Sequence, residues 1–341
     1  MIKTSPFAAE EREAKLNKLG DALQVMEQHV DFAALADEID RAAPRPNRER
    51  GGRPPFPTEL MVRVLLIQQL FNLSDEQVEF QLLDRLSFQR FVGLRSSSQI
   101  PDRTTVWTFK ERLINAGASE RIFEAVNQQL SQHGYIARGG QMIDASIVQA
   151  PKQSMSKDEK ELVGEEAMPI GWSPAKRRQK DTDARWTKKH GKSYFSYKVS
   201  ANVDNRYKLV RKIKVSTASE HDTLHFESVL DPANTNRDIL ADKGYVDGER
   251  EARLNKQGWR MQIQRKGSKG KPISATQKRR NTRIARTRAR VEHVFAGLAQ
   301  LGGKSLRSIG LARATLQLNW KVATYNLRRL VYLKEARITA F

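Results

Sequence analysis

The chain has 341 residues, 39% of them apolar, and carries 60 Lys and Arg against 39 Asp and Glu, a net charge of +21. That length predicts about two domains with a sizeable core, and the apolar fraction excludes a fully disordered chain. The absence of cysteine excludes a disulfide scaffold, a thiolate zinc site and a cysteine nucleophile. No apolar run reaches the ~18 residues that span a bilayer; the best candidate, Met61 to Phe71, is short and carries Arg63, so it predicts a buried helix.

Residues 1–50 predict an acidic helical arm, with Leu16, Leu19, Leu23 and Met26 at helical spacing, and a Pro/Arg linker. Acids and bases mix through this start, which predicts no cleaved secretory leader. Ala43-Pro44-Arg45-Pro46-Asn47 ends the arm, and Gly51-Gly52-Arg53-Pro54-Pro55 extends the break. Arg45, Arg48, Arg50 and Arg53 either track a phosphate backbone or decorate a solvated linker. Residues 51–136 predict a helical domain for DNA binding or dimerisation. Thr58 caps a helix to about Phe71, and Ser74 with Gln77 forms a capping box for the next, to about Phe88. Pro101-Asp102 opens a third, and Ser119 a fourth that Gly134 closes. A helix-turn-helix is conceivable here, although packed helices alone do not specify one.

After Gly140 the period changes, and residues 137–300 predict a mixed sheet with helices on its faces. Gln141 to Val148 is strand-like. From Ser193 to Val203 the apolar residues Phe195, Tyr197, Val199, Ala201 and Val203 share one face. Asp204-Asn205 turns the chain and Leu209 to Thr217 returns as a strand. Asp222 to Leu230 predicts a helix, Ile239 to Ala241 a buried strand, and Asp247 to Gly258 a capped helix. Trp259 to Ile263 is a fifth strand, followed by a basic helix from about Ala275 to Ala299. Residues 152–192, with Trp172 and Trp186, predict a long polar loop. Residues 301–341 predict a C-terminal helix.

The charge is concentrated. From Ala252 to Lys334 there are 21 Lys and Arg and one acid, Glu292. An excess this dense repels itself unless a polyanion neutralises it, and nucleic acid supplies regular negative charge. A merely solvated basic surface is the plainer alternative. Arg288, Lys271, Lys278, Arg279, Arg280, Arg283, Arg286 and Arg290 are the candidate phosphate contacts.

Three carboxylates stand out. Asp144 lies inside the first strand, where an acid is costly unless something pairs it. Asp242 follows a strand end, where ligands collect in such sheets. Glu292 borders the apolar stripe of Val291, Val294, Phe295 and Leu298, with Arg288 one turn earlier. Converging carboxylates are a way to hold Mg²⁺, and two such ions clamp the attacking and leaving oxygens of a phosphoryl displacement. Taken singly, Asp144 reads equally as a paired core acid, Asp242 as a loop cap, and Glu292 as the salt-bridge partner of Arg288. His221 and His225 are four apart but lack the glutamate of a zinc-protease spacing. His293 is more naturally structural. Trp172, Trp186 and Tyr194 either stack on bases or pack.

These stretches, taken in order, resemble bacterial DDE transposases of the insertion-sequence-five (IS-five) group. The matching residues are Gly52 to Pro57, Asn72-Leu73-Ser74-Asp75, Pro101 to Thr105 and Asp144 to Pro151. Further on come His190-Gly191-Lys192-Ser193, Glu220-His221-Asp222, Ala241 to Tyr245 and Arg288 to Phe295. The resemblance implies an α/β, ribonuclease-H-like catalytic domain behind an N-terminal all-helical domain. It puts the three metal-binding, catalytic acids at Asp144, Asp242 and Glu292, and the preceding basic residue at Arg288. It implies two Mg²⁺ ions, with Mn²⁺ as substitute, and double-stranded DNA, both element ends and target, as partner. It further implies a homodimer or larger assembly on DNA, no membrane, and a place in the bacterial cytoplasm with the nucleoid. The family commonly has a tyrosine three residues before the arginine and a lysine seven after the glutamate. Here those positions hold Ala285 and Ala299, leaving Lys271, Lys304 and Arg307 as nearby substitutes. The same departures admit a catalytically weakened, transposase-derived DNA-binding protein.

Overall fold

The structure, a computed structural model, describes residues 6–45, 51, 54–94, 100–165, 167–189, 191–268, 270 and 272–340. It divides into two compact units, Met1–Leu130 with Ala323–Thr339, and Ser131–Val322 with Ala340–Phe341.

The first unit is helical. The expected single arm is three helices, α1 (Ala8–Leu19), α2 (Ala22–His29) and α3 (Phe32–Ala42). The cause is two chain breaks. Gly20, at φ +86, leaves the helical region, and Asp21 then caps α2 by accepting from the Leu23 amide. Asp31 caps α3 in the same way through the Ala34 amide. Leu23 and Met26 are buried as the spacing predicts, whereas Leu19 is 84% exposed. Helix α4 (Thr58–Leu70) has Pro57 at its cap position. Thr58 does not cap it; its hydroxyl donates to Asp40 Oδ1 at 2.6 Å. Within α4, Arg63 is held by Glu27 and Glu59 and sits over the Phe32 ring at 4.3 Å, so the apolar run tolerates its charge. The Ser74–Gln77 capping box forms and opens α5 (Asp75–Asp84). That helix stops short of Phe88 because Arg85 is extended, and α6 (Leu86–Val92) begins afresh. Asp102 caps α7 (Arg103–Asn115), and α8 (Arg121–Gln132) follows.

The second unit is built on a mixed sheet of six strands among the described residues: β1 (Gln141–Gln149), β2 (Arg185–Lys189), β3 (Lys192–Asp204), β4 (Val210–Thr217), β5 (Asp238–Ala241) and β6 (Arg260–Ile263). The order is β2-β3-β1-β5-β6. One edge of β3 is shared by β2, along Lys192–Ser196, and β4, along Tyr197–Val203. β1 runs antiparallel to β3 and parallel to β5, which is parallel to β6. All five apolar residues predicted to share a face of β3 are buried. The chain is thus α/β with a ribonuclease-H-like sheet. One face of the sheet packs Ile143, Ile239, Ala241, Met261 and Ile263 against Phe226, Val229, Tyr245, Leu254 and Trp259.

Residues 152–192 are more ordered than a polar loop. They contain α9 (Lys157–Gly164), α10 (Pro174–Arg178) and β2. Ser156 and Glu159 form a capping box for α9, and Glu159 also binds Trp172 Nε1 and Lys176, which holds its carboxyl down at about 2. Trp172 is therefore buried packing. Asp181 is buried and accepts from Tyr197 Oη at 2.7 Å and from the Ala184 and Gly310 amides. With Asp183, which accepts from the Leu311 amide, it fixes the start of α13 (Leu311–Glu335).

The expected helix over Asp222–Leu230 is only a 3-10 turn, Asp222–His225, followed by turns. Arg250 donates to the Thr223 carbonyl, and i to i+3 bonds such as Leu224 to His221 replace the helical ladder. Helices α11 (Gly248–Lys256), capped by Asp247, and α12 (Ala275–Gln300) fall where predicted. Among the described residues, no helix is long and apolar enough to cross a membrane.

Lys321, on α13, is 1% exposed and donates to the Leu301 carbonyl at 2.6 Å. Burial, aided by Arg307, pushes its amine down to about 8 from 10.5. Between those values the unfolded chain binds the extra proton, so stability rises with pH through this window, by about 3 kcal/mol at most. Denaturant melts on either side of the window should show this rise, and Lys321→Met should remove it.

Candidate active site

The site is set by strand register. β1 and β5 pair in parallel with Gln141 beside Ile239 and Met142 beside Leu240. Asp144 lies two residues past Met142, inside β1, and Asp242 two residues past its partner Leu240, just beyond the end of β5; by strand alternation both fall on the side of the sheet opposite Ile143 and Ala241. That side is covered by α12, which packs on β1, β5 and β6 through Ile284, Val291, Val294, Phe295 and Leu298. Glu292 lies on α12 beside this apolar stripe and is exposed.

Each acid has a local role as well. Asp144 Oδ2 accepts from Arg288 Nη2 at 2.6 Å, and Oδ1 from the Ala145 amide at 2.9 Å. Burial pushes the Asp144 carboxyl up. Arg288 and the Ala145 amide act against this, and the charge of Glu292 adds to it. Asp242 Oδ1 accepts from the Gly244 amide at 2.7 Å and caps the 3-10 turn Lys243–Tyr245. Arg288 therefore pairs with Asp144 rather than with Glu292. Tyr245 is buried, and among the described residues its hydroxyl has no hydrogen-bond partner; burial first, and then the charges of Asp144, Asp222 and Asp242, push its phenol up.

The donor set is all oxygen, which suits a hard divalent cation, and the buried Asp144 and the orphaned Tyr245 hydroxyl both gain from a cation or its water. The groups are not gathered, however. Among the described residues no three Asp, Glu or His side chains stand close enough to hold one ion. Arg288 occupies one Asp144 oxygen and the Ala145 amide the other. The acids suit a divalent cation in donor chemistry, and in this structure Arg288 serves as the counter-ion of Asp144.

That pair is mostly buried, with side chains 16% and 15% exposed. Arg288→Ala should therefore destabilise the protein by roughly 1–3 kcal/mol, most of it from the uncompensated carboxylate. Adding Asp144→Asn should recover much of the loss. Chemical melts of the two single variants and the double variant measure the coupling.

The basic helix divides by face. Arg280 points inward and donates to the Ile263 and Met261 carbonyls, so it serves the fold rather than a phosphate. Arg290 donates to Asn205. Lys278, Arg279, Arg283 and Arg286 are exposed, and none pairs with a carboxylate among the described residues. Arg279, Arg283, Arg286 and Arg290 recur at helical spacing along one stripe. Lys271 lies outside the described residues, as do Arg48, Arg50 and Arg53, while Arg45 pairs with Asp40. His221 bonds to Thr223 and His225 to Glu220, so neither is set for a metal. Trp186 is 51% exposed on β2, beside Phe195.

Reasoning from sequence missed three groups at the site: Tyr245 as an orphaned hydroxyl, Asp222 as a nearby acid, and Ser146, which bonds Lys304 at 2.8 Å. Ser146 carried a signal, being two residues from Asp144 on the same face of a strand.

Residues 137–327 match the transposase DDE domain family, and residues 10–112 match a second transposase domain family of uncharacterised type. The chain belongs to the DDE transposase family. Its α/β sheet and the positions of Asp144 and Asp242 on β1 and after β5 fall inside the DDE match. Members of this family generally use divalent metal ions. The chain is also similar to the piggyBac transposase seen in a synaptic complex with hairpin DNA, at 10% identity and a TM-score of 0.44, over 94% of this chain and 77% of that one.

Proposed function

We propose that this DDE transposase is the enzyme of a bacterial insertion sequence of the IS-five group, acting in the cytoplasm at the nucleoid. It binds the inverted terminal ends of its element as a dimer or larger assembly, cuts a phosphodiester and joins the freed 3′-hydroxyl to target DNA. The observation that supports this is the parallel pairing of β1, which carries Asp144, with β5, which Asp242 follows, under contact from the helix that carries Glu292.

In this reading Asp144, Asp242 and Glu292 hold Mg²⁺ or Mn²⁺, two ions in all. When bound, such ions activate water and neutralise charge on the phosphate oxygens. Arg288, the counter-ion of Asp144 in this structure, would then steady a phosphate oxygen or Glu292. The exposed arginines of α12 and the helical first unit hold duplex DNA. Each join replaces one phosphodiester by another, so no external energy source is needed.

Incubation with Mg²⁺, a duplex carrying the terminal repeat that brackets the coding sequence, and a target plasmid tests this. Joined donor–target products support it. Hydrolysed ends without joining indicate a nuclease of the same fold. Specific binding without any cutting supports the second reading, a transposase-derived DNA-binding protein, which the Arg288–Asp144 pairing and Ala299 favour.

A further inference from the structure

After α12 the chain doubles back at Gly302-Gly303. A side chain at 303 would meet the Leu298 carbonyl oxygen at 2.7 Å, so only glycine allows the turn. Residues 304–306 then meet the end of β1 through a single parallel bridge, Ser305 beside Gln149. The Gln149 amide donates to the Lys304 carbonyl at 2.9 Å, and the Leu306 amide to the Gln149 carbonyl at 2.8 Å. From this anchored backbone the Lys304 side chain runs back along β1 to Ser146 Oγ, passing 5.8 Å from the centre of the Phe295 ring. Phe295 is one turn beyond Glu292 on α12, and Ser146 is one same-face step beyond Asp144 on β1. The amine thus stands between the two elements that carry those acids.

Its charge is not spent there. Burial pushes the Lys304 amine down, Lys189 on the neighbouring hairpin strand does the same, and Glu292 and Asp144 act in the opposite sense. Its hydrogen-bond partner is the neutral Ser146 hydroxyl, and no carboxylate pairs with it among the described residues. A partly desolvated ammonium near two carboxylates, yet bound to neither, is oriented for a different anion. We propose that Lys304 grips the phosphodiester to be cut and that Ser146 positions it. The proposal rests on the transposase reading, which supplies the anion.

The test uses the full chain and a labelled duplex carrying the terminal repeat, with Ca²⁺ for binding and Mg²⁺ for cutting. Lys304→Met keeps the aliphatic stem and the fold, which a thermal melt checks. We expect kcat for nicking to fall about a hundredfold with KM little changed, Lys304→Arg to restore part of it, and Ser146→Ala to lose several-fold. A purely structural lysine is separated by a second duplex, with a neutral methylphosphonate at the scissile position. Wild type should bind it less tightly than the ordinary duplex, and Lys304→Met should bind both alike. Cutting by wild type together with undiminished cutting by Lys304→Met, or an unchanged methylphosphonate penalty in that variant, overturns the Lys304 assignment alone. Failure of wild type to cut overturns the transposase reading and this assignment together.

Discussion

Asp144→Asn and Asp242→Asn should each abolish strand cutting while leaving duplex affinity within a few-fold of wild type. The loss should exceed the ~10–100-fold typical of removing an outer hydrogen-bond partner of a metal ligand, because a donor itself is lost. The amide preserves shape and still accepts a hydrogen bond, so Arg288 and the Gly244 amide keep partners. Folding should therefore survive. Glu292→Gln should cut measurably better than either aspartate variant, because Glu292 is exposed and completes the site from the helix rather than from the sheet. The pH dependence follows from the burial of Asp144. The Asp144 pKa lies above the ordinary 3.8, so the carboxylate is lost to protonation sooner as the medium is acidified. Metal binding should therefore weaken on acidification from a higher pH than a solvated aspartate would give. Calorimetric titration with Mn²⁺ across pH reads this directly.

The second large effect is on DNA. Changing Arg279, Arg283 and Arg286 together to Gln should weaken duplex binding about equally for all sequences. Each lost phosphate contact should reduce the slope of log affinity against log salt by about 0.9, so the triple change should flatten it by nearly three. The choice of residues is structural. These side chains are exposed along one stripe of α12 without carboxylate partners, whereas Arg280 is committed to β6 carbonyls. Arg280→Gln should instead lower the melting temperature and leave the slope unchanged. Fluorescence anisotropy over a salt series separates the two outcomes.

Much of this was legible in the amino-acid order because the controlling effects are local. The alternation on β3, the capping boxes at Ser74 and Asp102's cap, and the long period of α12 each follow from neighbouring residues. The elements misread are those decided by distant contacts. Asp222–Leu230 has a helical pattern, yet Arg250, far along the chain, takes the Thr223 carbonyl. Thr58 has the chemistry of a cap, but Asp40 claims its hydroxyl. The opposite error occurred in residues 152–192, where polarity hid the capping box of Ser156 and Glu159. At the site, the acids could be named from sequence, and so could Arg288. Its partner could not: helix spacing favours Glu292, while the packing of α12 on β1 delivers it to Asp144. The same packing decides which arginines face out and brings Lys304 back to Ser146.

The central claim is that Asp144, Asp242 and Glu292 together grip divalent ions. A crystal of the protein with its terminal duplex and Mn²⁺, recorded for anomalous scattering, tests it most directly. The account predicts Mn²⁺ peaks in contact with all three carboxylates and Arg288 turned away from Asp144. Peaks bound elsewhere, or Arg288 still on Asp144 with DNA and metal both present, would contradict it.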